Sequence, residues 1–195
     1  LIAITFSANT ISQEVEEVVV TATKKEESTQ DIAVSITAIT ADQLAADQIY
    51  DLQDLAEIVP GFGVAKGIGS GSGFVMRGIG SYGVGAAVVS SIVTSINGHS
   101  VNPSIMNDMG FMDLERIEVL NGPQGTLFGR NSVAGVINLV TARPTGEFEG
   151  YVDYESGNYD KETVKGAVNM PISDTVRARL AFMTNTRDGM VENTT

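Results

Sequence analysis

From residue 148 onward, apolar and polar side chains alternate along the chain. Phe148, Gly150, Val152 and Tyr154 fall on one side, and Glu149, Tyr151, Asp153 and Glu155 on the other. Residues 163–170 place Val164, Gly166 and Val168 opposite Lys165 and Asn169. Residues 175–185 place Val176, Ala178, Leu180 and Phe182 opposite Arg177 and Arg179. A period of two belongs to a strand with one apolar and one polar face. Gly157-Asn158 and residues 171–174 supply turn chemistry between these stretches, so three successive antiparallel strands are predicted. A transmembrane barrel has this pattern, with an apolar lipid face and a polar lumen, and a soluble sandwich has it too.

Before Pro144 the pattern is different. Residues 113–144 read DLERIEVLNGPQGTLFGRNSVAGVINLVTARP. Residues 117–120 and 136–140 are nearly unbroken Val, Ile and Leu, which predicts strands buried on both faces. Gly122, Pro123, Gly125, Gly129 and Gly135 mark the segment between them as a close-packed loop. Residues 33–39, AVSITAI, are a strand. Thr40 with Gln43 forms a capping box for a helix over 41–48. Asp51 caps a second helix over 52–58, with Leu52, Leu55, Ala56 and Ile58 on its buried face and Pro60-Gly61 as its stop. Residues 74–77 and 91–96 are short strands, and Asn97-Gly98 is a hairpin turn. Strands separated by short helices predict a small domain around a mixed sheet.

Composition removes several function classes. Asp and Glu number 24 against 12 Lys and Arg, for a net charge of −12. No basic stripe is present to neutralise phosphates, which argues against a nucleic-acid partner. With no Cys and one His, disulfides, thiolate metal sites and Cys nucleophiles are ruled out. A metal centre needs several ligands and a Ser/His/Asp triad a partnered His, so no catalytic residue, metal or cofactor is expected, and His99 reads as a hairpin residue. Gly78 to Gly83 matches G-x-G-x-x-G, but no convincing helix start follows it and no carboxylate lies about 20 positions on. Asp51 and Asp54 read as a solvated pair. Met106, Met109 and Met112 suit either an adaptable contact surface or the core.

No run of 18 apolar residues exists, so no transmembrane helix is expected. Residues 1–8, LIAITFSA, fit the tail of a signal-peptide apolar region or an ordinary first strand. The sequence starts at Leu1 rather than Met and ends at Thr195 in mid-pattern, as expected of a piece cut from a longer chain. Residues 18–21 form a short β-branched run between the acidic cluster of Glu14, Glu16 and Glu17 and a charged tail over 24–30. Such a run can be the domain's edge strand, or can add itself to the edge of a partner's sheet.

These residues together resemble the N-terminal part of a TonB-dependent outer-membrane receptor. Glu17, Val18, Val19, Val20, Thr21 and Ala22 resemble a TonB box. LQDLAEIVPG over 52–61 resembles the family's helix and stop, Met76-Arg77-Gly78 its internal Arg-Gly strand end, and 117–125 with 127–141 its diagnostic stretch. Asn121 stands where Arg is frequent, which puts one plug–barrel ion pair in doubt; Ala134 replaces a common Gly, and Asn97-Gly98-His99 a more usual Asp-Gly-aliphatic. The resemblance implies an α+β plug domain with a mixed β-sheet and short helices, followed by the first antiparallel strands of a transmembrane β-barrel. The expected division is a signal remnant over 1–13, TonB box and linker over 14–30, plug over 31–144 and incomplete barrel over 145–195. It further implies a chain in the cell outer membrane, whose partners are TonB, outer-membrane lipid and an extracellular small-molecule ligand such as an iron chelate. Ser81, Tyr82, Asn102 and Ser104 are the expected ligand contacts on apical loops. Arg77 and Arg116 are the expected plug arginines paired with barrel carboxylates. The competing expectation is a soluble periplasmic or secreted α+β ligand-binding module.

Overall fold

The computed structural model describes residues 19–21, 27–28, 34–66, 72–80, 90–101 and 110–189. Its centre is a five-stranded mixed sheet in the order β3-β9-β10-β7-β8, made of β3 (Ile36–Thr40), β7 (Ile92–Ile96), β8 (His99–Val101), β9 (Leu114–Asn121) and β10 (Gly135–Thr141). The two apolar runs are the antiparallel neighbours β9 and β10, and β10 pairs in parallel with β7. Both central strands are buried on both faces, as their unbroken hydrophobicity predicts. The predicted strands over 33–39 and 91–96 are β3 and β7, each slightly shorter than expected.

Register sorts the side chains into two layers. Ile117, Val119, Ile137, Leu139, Ile39 and Ile92 share the main core with Leu44, Leu52 and Leu55. Phe62, Phe74 and Met76 join the same core from a second sheet of β4 (Phe62–Lys66), β5 (Ser72–Met76) and β6 (Ile79–Gly80). The opposite face carries Leu120, Val136 and Val93 with Phe128, and beside them the buried polar residues Arg116, Glu118, Asn138 and Ser95.

Helix α1 (Ala41–Ala46) begins at the predicted capping box of Thr40 and Gln43. It ends two residues early for a local reason. Gln48 adopts φ +57°, and the Gln48 and Ile49 amides donate to the Ala45 and Leu44 carbonyls, a Schellman closure. Helix α2 (Leu55–Ile58) is a single turn. The expected solvated pair Asp51 and Asp54 is corrected: Asp51 Oδ1 accepts from the Gln53 and Asp54 amides, and Asp54 Oδ2 from those of Tyr50 and Asp51. Two short carboxylates spaced three apart thus close the turn that precedes α2, and α2 itself has no side-chain cap from Asp51 or Asp54.

Arg77 leaves the strand expected over 74–77. Arg77 and Gly78 have φ of +50° and +79°, as do Asn97 and Gly98, so each pair is the two-residue turn of a hairpin. Gly78 and Gly80 of the G-x-G-x-x-G match therefore build a hairpin, not a phosphate-binding turn at a helix start. Helix α3 (Gly125–Phe128), expected as loop, buries Phe128 under the sheet. At the N-terminus β1 (Val19–Val20) pairs with β2 (Glu27–Ser28).

The predicted meander is present as β11 (Glu149–Gly157), β12 (Lys161–Pro171) and β13 (Arg177–Thr186). Its register puts Val152, Gly166 and Phe182 in one row and Gly150, Val168 and Leu180 in the next. Phe148, Val152, Leu180 and Phe182 lie bare on this face, Val152 at 70% and Leu180 at 61% exposure. The other face, with Tyr151, Thr163, Asn169 and Arg179, meets the N-terminal domain. Among the described residues no helix is long and apolar enough to cross a membrane.

Candidate functional site

Two polar constellations stand out, one within the domain and one at its seam with the meander. Arg116 and Glu118 are two apart on β9 and so share a face. Register brings Asn138 of β10 opposite Glu118, and Ser95 of β7 opposite Asn138. Glu118 has no solvent exposure. Its Oε1 accepts from Arg116 Nε at 2.9 Å, from the Thr21 amide at 2.7 Å and from Thr21 Oγ1 at 3.3 Å. Its Oε2 accepts from Asn138 Nδ2 at 2.9 Å. Arg116 also donates Nη2 to Thr21 Oγ1 at 3.2 Å and pairs with Glu115. Asn138 Oδ1 accepts in turn from Ser95 Oγ at 2.8 Å and the Gly98 amide at 2.9 Å. A buried carboxylate is tolerable only when paired and hydrogen-bonded, and this one is both.

At the seam Asp113, just before β9, takes Arg179 of β13 in a two-pronged pair. Arg179 Nε reaches Oδ2 at 2.7 Å and Nη2 reaches Oδ1 at 2.6 Å. Tyr151 Oη of β11 donates to the same Oδ1 at 3.3 Å. The two charged side chains are 9% and 13% exposed, so solvent screens them little. Asp113 has φ +48° and its carbonyl accepts from the Ala142 amide, which ties the start of β9 to the exit from β10. Asn169, fully buried on β12, holds the connecting segment by donating to Thr145 and Glu147. Lys161 and Lys165 lie 5.5 and 5.8 Å from the Tyr50 ring centre, beside a seam cavity of about 460 Å³.

The expected site residues are distributed unevenly over this frame. Val19 and Val20 form β1, Val20 fully buried, and Thr21 touches the Glu118 cluster. Glu17, Val18 and Ala22 lie outside the described residues, as do Ser81, Tyr82, Asn102 and Ser104 and the whole of 1–13. Arg77 is exposed in its turn and donates to Ser35 Oγ at 3.2 Å. Arg116 faces the domain's own Glu118 instead of the meander. Among the described residues the domain and the meander are joined by an ion pair between an acidic residue of the domain and an arginine of the meander.

Asp113, Arg179, Glu118 and Asn138 were not singled out from the sequence. One signal was available for two of them. Glu118 and Asn138 interrupt strands otherwise buried on both faces, and a polar group there requires partners. Nothing comparable marks Asp113, whose partner is 66 residues away.

The fold is thus a mixed sheet packed by its flank on the polar side of a bare-faced antiparallel meander. The model for the TonB-dependent Receptor Plug Domain matches residues 28–136, more than half the chain, and the chain belongs to that family. It is 29% identical over 199 residues to the iron-regulated outer membrane virulence protein of Vibrio cholerae, covering 94% of this chain and 30% of the relative. Against the vitamin B12 transporter BtuB of Photobacterium profundum it is 25% identical over 190 residues, with the same two coverages. The pyoverdine outer membrane receptor FpvA of Pseudomonas aeruginosa PAO1, solved bound to pyoverdine, shares the fold. Its TM-score is 0.73 at 20% identity, over 91% of this chain and 26% of that one. The chain thus spans about 30% of the length of these curated relatives. As a member of this family the chain is placed in the outer membrane. The α+β plug with first barrel strands is the fold expected from sequence, and the soluble-module expectation falls.

Proposed function

We propose that this chain is the entry end of an energised importer that carries a scarce, bulky ligand across the outer membrane, with a ferric siderophore as the leading cargo. The observation that carries the reading is the polarity of the meander: its polar face holds the plug, and its apolar face is bare. Relatives named for iron regulation, ferric pyoverdine and vitamin B12 support uptake of a large chelate, with cobalamin and oligosaccharides as the alternative cargoes. In this reading residues 1–13 are a signal remnant, 14–30 the TonB box and linker, 31–144 the plug and 145–195 the first strands of a barrel of roughly 22. Ligand meets Ser81, Tyr82, Asn102 and Ser104 from outside. Residues 17–22 then pair as an added strand with TonB in the periplasm. Arg77 remains the candidate for a carboxylate of the barrel wall beyond residue 195.

Replacing Val19 with Pro removes a strand donor. In the full-length receptor it is expected to abolish energised uptake and leave ligand binding at the cell surface unchanged. Growth on candidate iron, vitamin and glycan sources by a strain lacking the gene identifies the cargo; a growth defect confined to a source other than iron chelates removes the siderophore assignment. The lipid face is tested separately. Leu180→Arg, mid-strand on the bare face of β13, is expected to cost the folded barrel about 2–4 kcal/mol. That loss reads as a lower temperature of gel-mobility unfolding, and an unchanged temperature would place the face outside lipid.

A further inference from the structure

We propose that Glu118, with Arg116, is the latch that retains the N-terminal segment on the plug and sets how readily that segment is released. This rests on the reading of residues 17–22 as the segment handed to TonB.

Three observations point to it. First, Thr21 reaches across 97 positions in sequence to give Glu118 both its amide and its hydroxyl, and it receives Arg116 Nη2. Second, the sheet has no structural need of a charge at this position. Beside Arg116, Asn138 and Ser95, this face carries Leu120, Val136, Val140 and Ala38, and apolar residues in place of a whole buried pair are commonly neutral or stabilising. Third, the carboxylate keeps partners when the segment departs. Arg116 Nε and Asn138 Nδ2 both belong to the sheet, so release exposes a compensated pair to water and orphans no charge. A latch must hold and also open without unfolding its seat, and this division of partners allows both.

The cluster also reaches the β7–β8 hairpin. Asn138 Oδ1 binds Ser95 Oγ and the Gly98 amide, so the β7–β8 hairpin is tied to Glu118 through one side chain.

The donor pattern predicts the effect of neutralising the latch at constant size. In Glu118→Gln a single amide oxygen faces either Thr21 or Asn138, while its NH₂ meets a donor on the other side. Asn138 cannot turn to accept, because its own oxygen already serves Ser95 and Gly98. The test is amide hydrogen exchange on the full-length, ligand-free receptor. In Glu118→Gln the peptide carrying Val20 and Thr21 is expected to exchange roughly ten-fold faster, with the peptide over 136–140 still protected. Thr21→Ala, which leaves the sheet untouched, is expected to give a smaller rise. Unchanged exchange in Glu118→Gln with an intact sheet overturns the latch. If that variant opens the sheet, unchanged exchange in Thr21→Ala overturns it instead. Faster exchange beside a Val19→Pro receptor that still imports normally upholds the latch and removes only the TonB assignment.

Discussion

Arg179→Ala in the full-length receptor is expected to weaken plug retention by about 3–5 kcal/mol, the usual penalty for stripping one partner from a buried ion pair. Asp113, 9% exposed beside Arg179, then keeps Tyr151 as its remaining side-chain donor. The left-handed backbone at Asp113 guides the companion variant. Asp and Asn tolerate φ +48°, so Asp113→Asn changes the charge without adding backbone strain. A double-mutant cycle of Asp113→Asn with Arg179→Ala separates the pairwise energy from the cost of a stranded carboxylate. The readout is the denaturant midpoint of plug unfolding within the intact barrel. A loss below about 1 kcal/mol would mark the pair as solvent-screened, and the seam would then rest on packing alone.

Gly135→Ala is expected to be as damaging by a purely steric route. A Cβ at residue 135 would stand 2.4 Å from the Leu120 carbonyl oxygen and 2.1 Å from Met76 Sδ. The methionine can swing aside. The carbonyl belongs to β9, whose Asn121 pairs directly with Gly135, and it cannot move without breaking the ladder. Overpacking of this kind costs about 1–3 kcal/mol or more, and the backbone contact puts this site at the upper end. Met76→Ala as a second change should restore part of the loss and not all of it. Gly125→Ala is the control, since a Cβ there meets nothing within 4 Å and lies in α3. It should be neutral or stabilising by up to about 1 kcal/mol. If the two alanine variants unfold at the same denaturant concentration, the close approach at Gly135 is not a constraint.

The parts of the fold legible in the sequence are those whose signals are local. Thr40 and Gln43 announce α1 because the capping box lies within four residues. Asn97-Gly98 announces its hairpin because the turn type demands positive φ at both positions. The unbroken runs at 117–120 and 136–140 announce central strands because burial on both faces leaves no polar side to display. The end of α1 was less legible, since Gln48 takes a left-handed position usually filled by Gly. Helix α3 was hidden among glycines, and it is fixed by tertiary burial of Phe128 more than by propensity. The Asp113–Arg179 pair was not legible at all. Each residue alone is an ordinary charge beside a strand, and only the docking of plug on wall makes them partners. Asn121 follows the same logic, since its buried Oδ1 finds no hydrogen-bond donor among the described residues.

The seam also bears on the order of assembly. Strand β11 pairs with β12 on one edge, and among the described residues its other edge has no partner strand. Among the described residues the plug touches β11 and β13 through Asp113 and β12 through Tyr50. On the proposed reading, a plug held in this way can be seated while the sheet is still open, and further strands would then wrap around an occupant already in place, so that no folded domain has to be threaded into a finished pore.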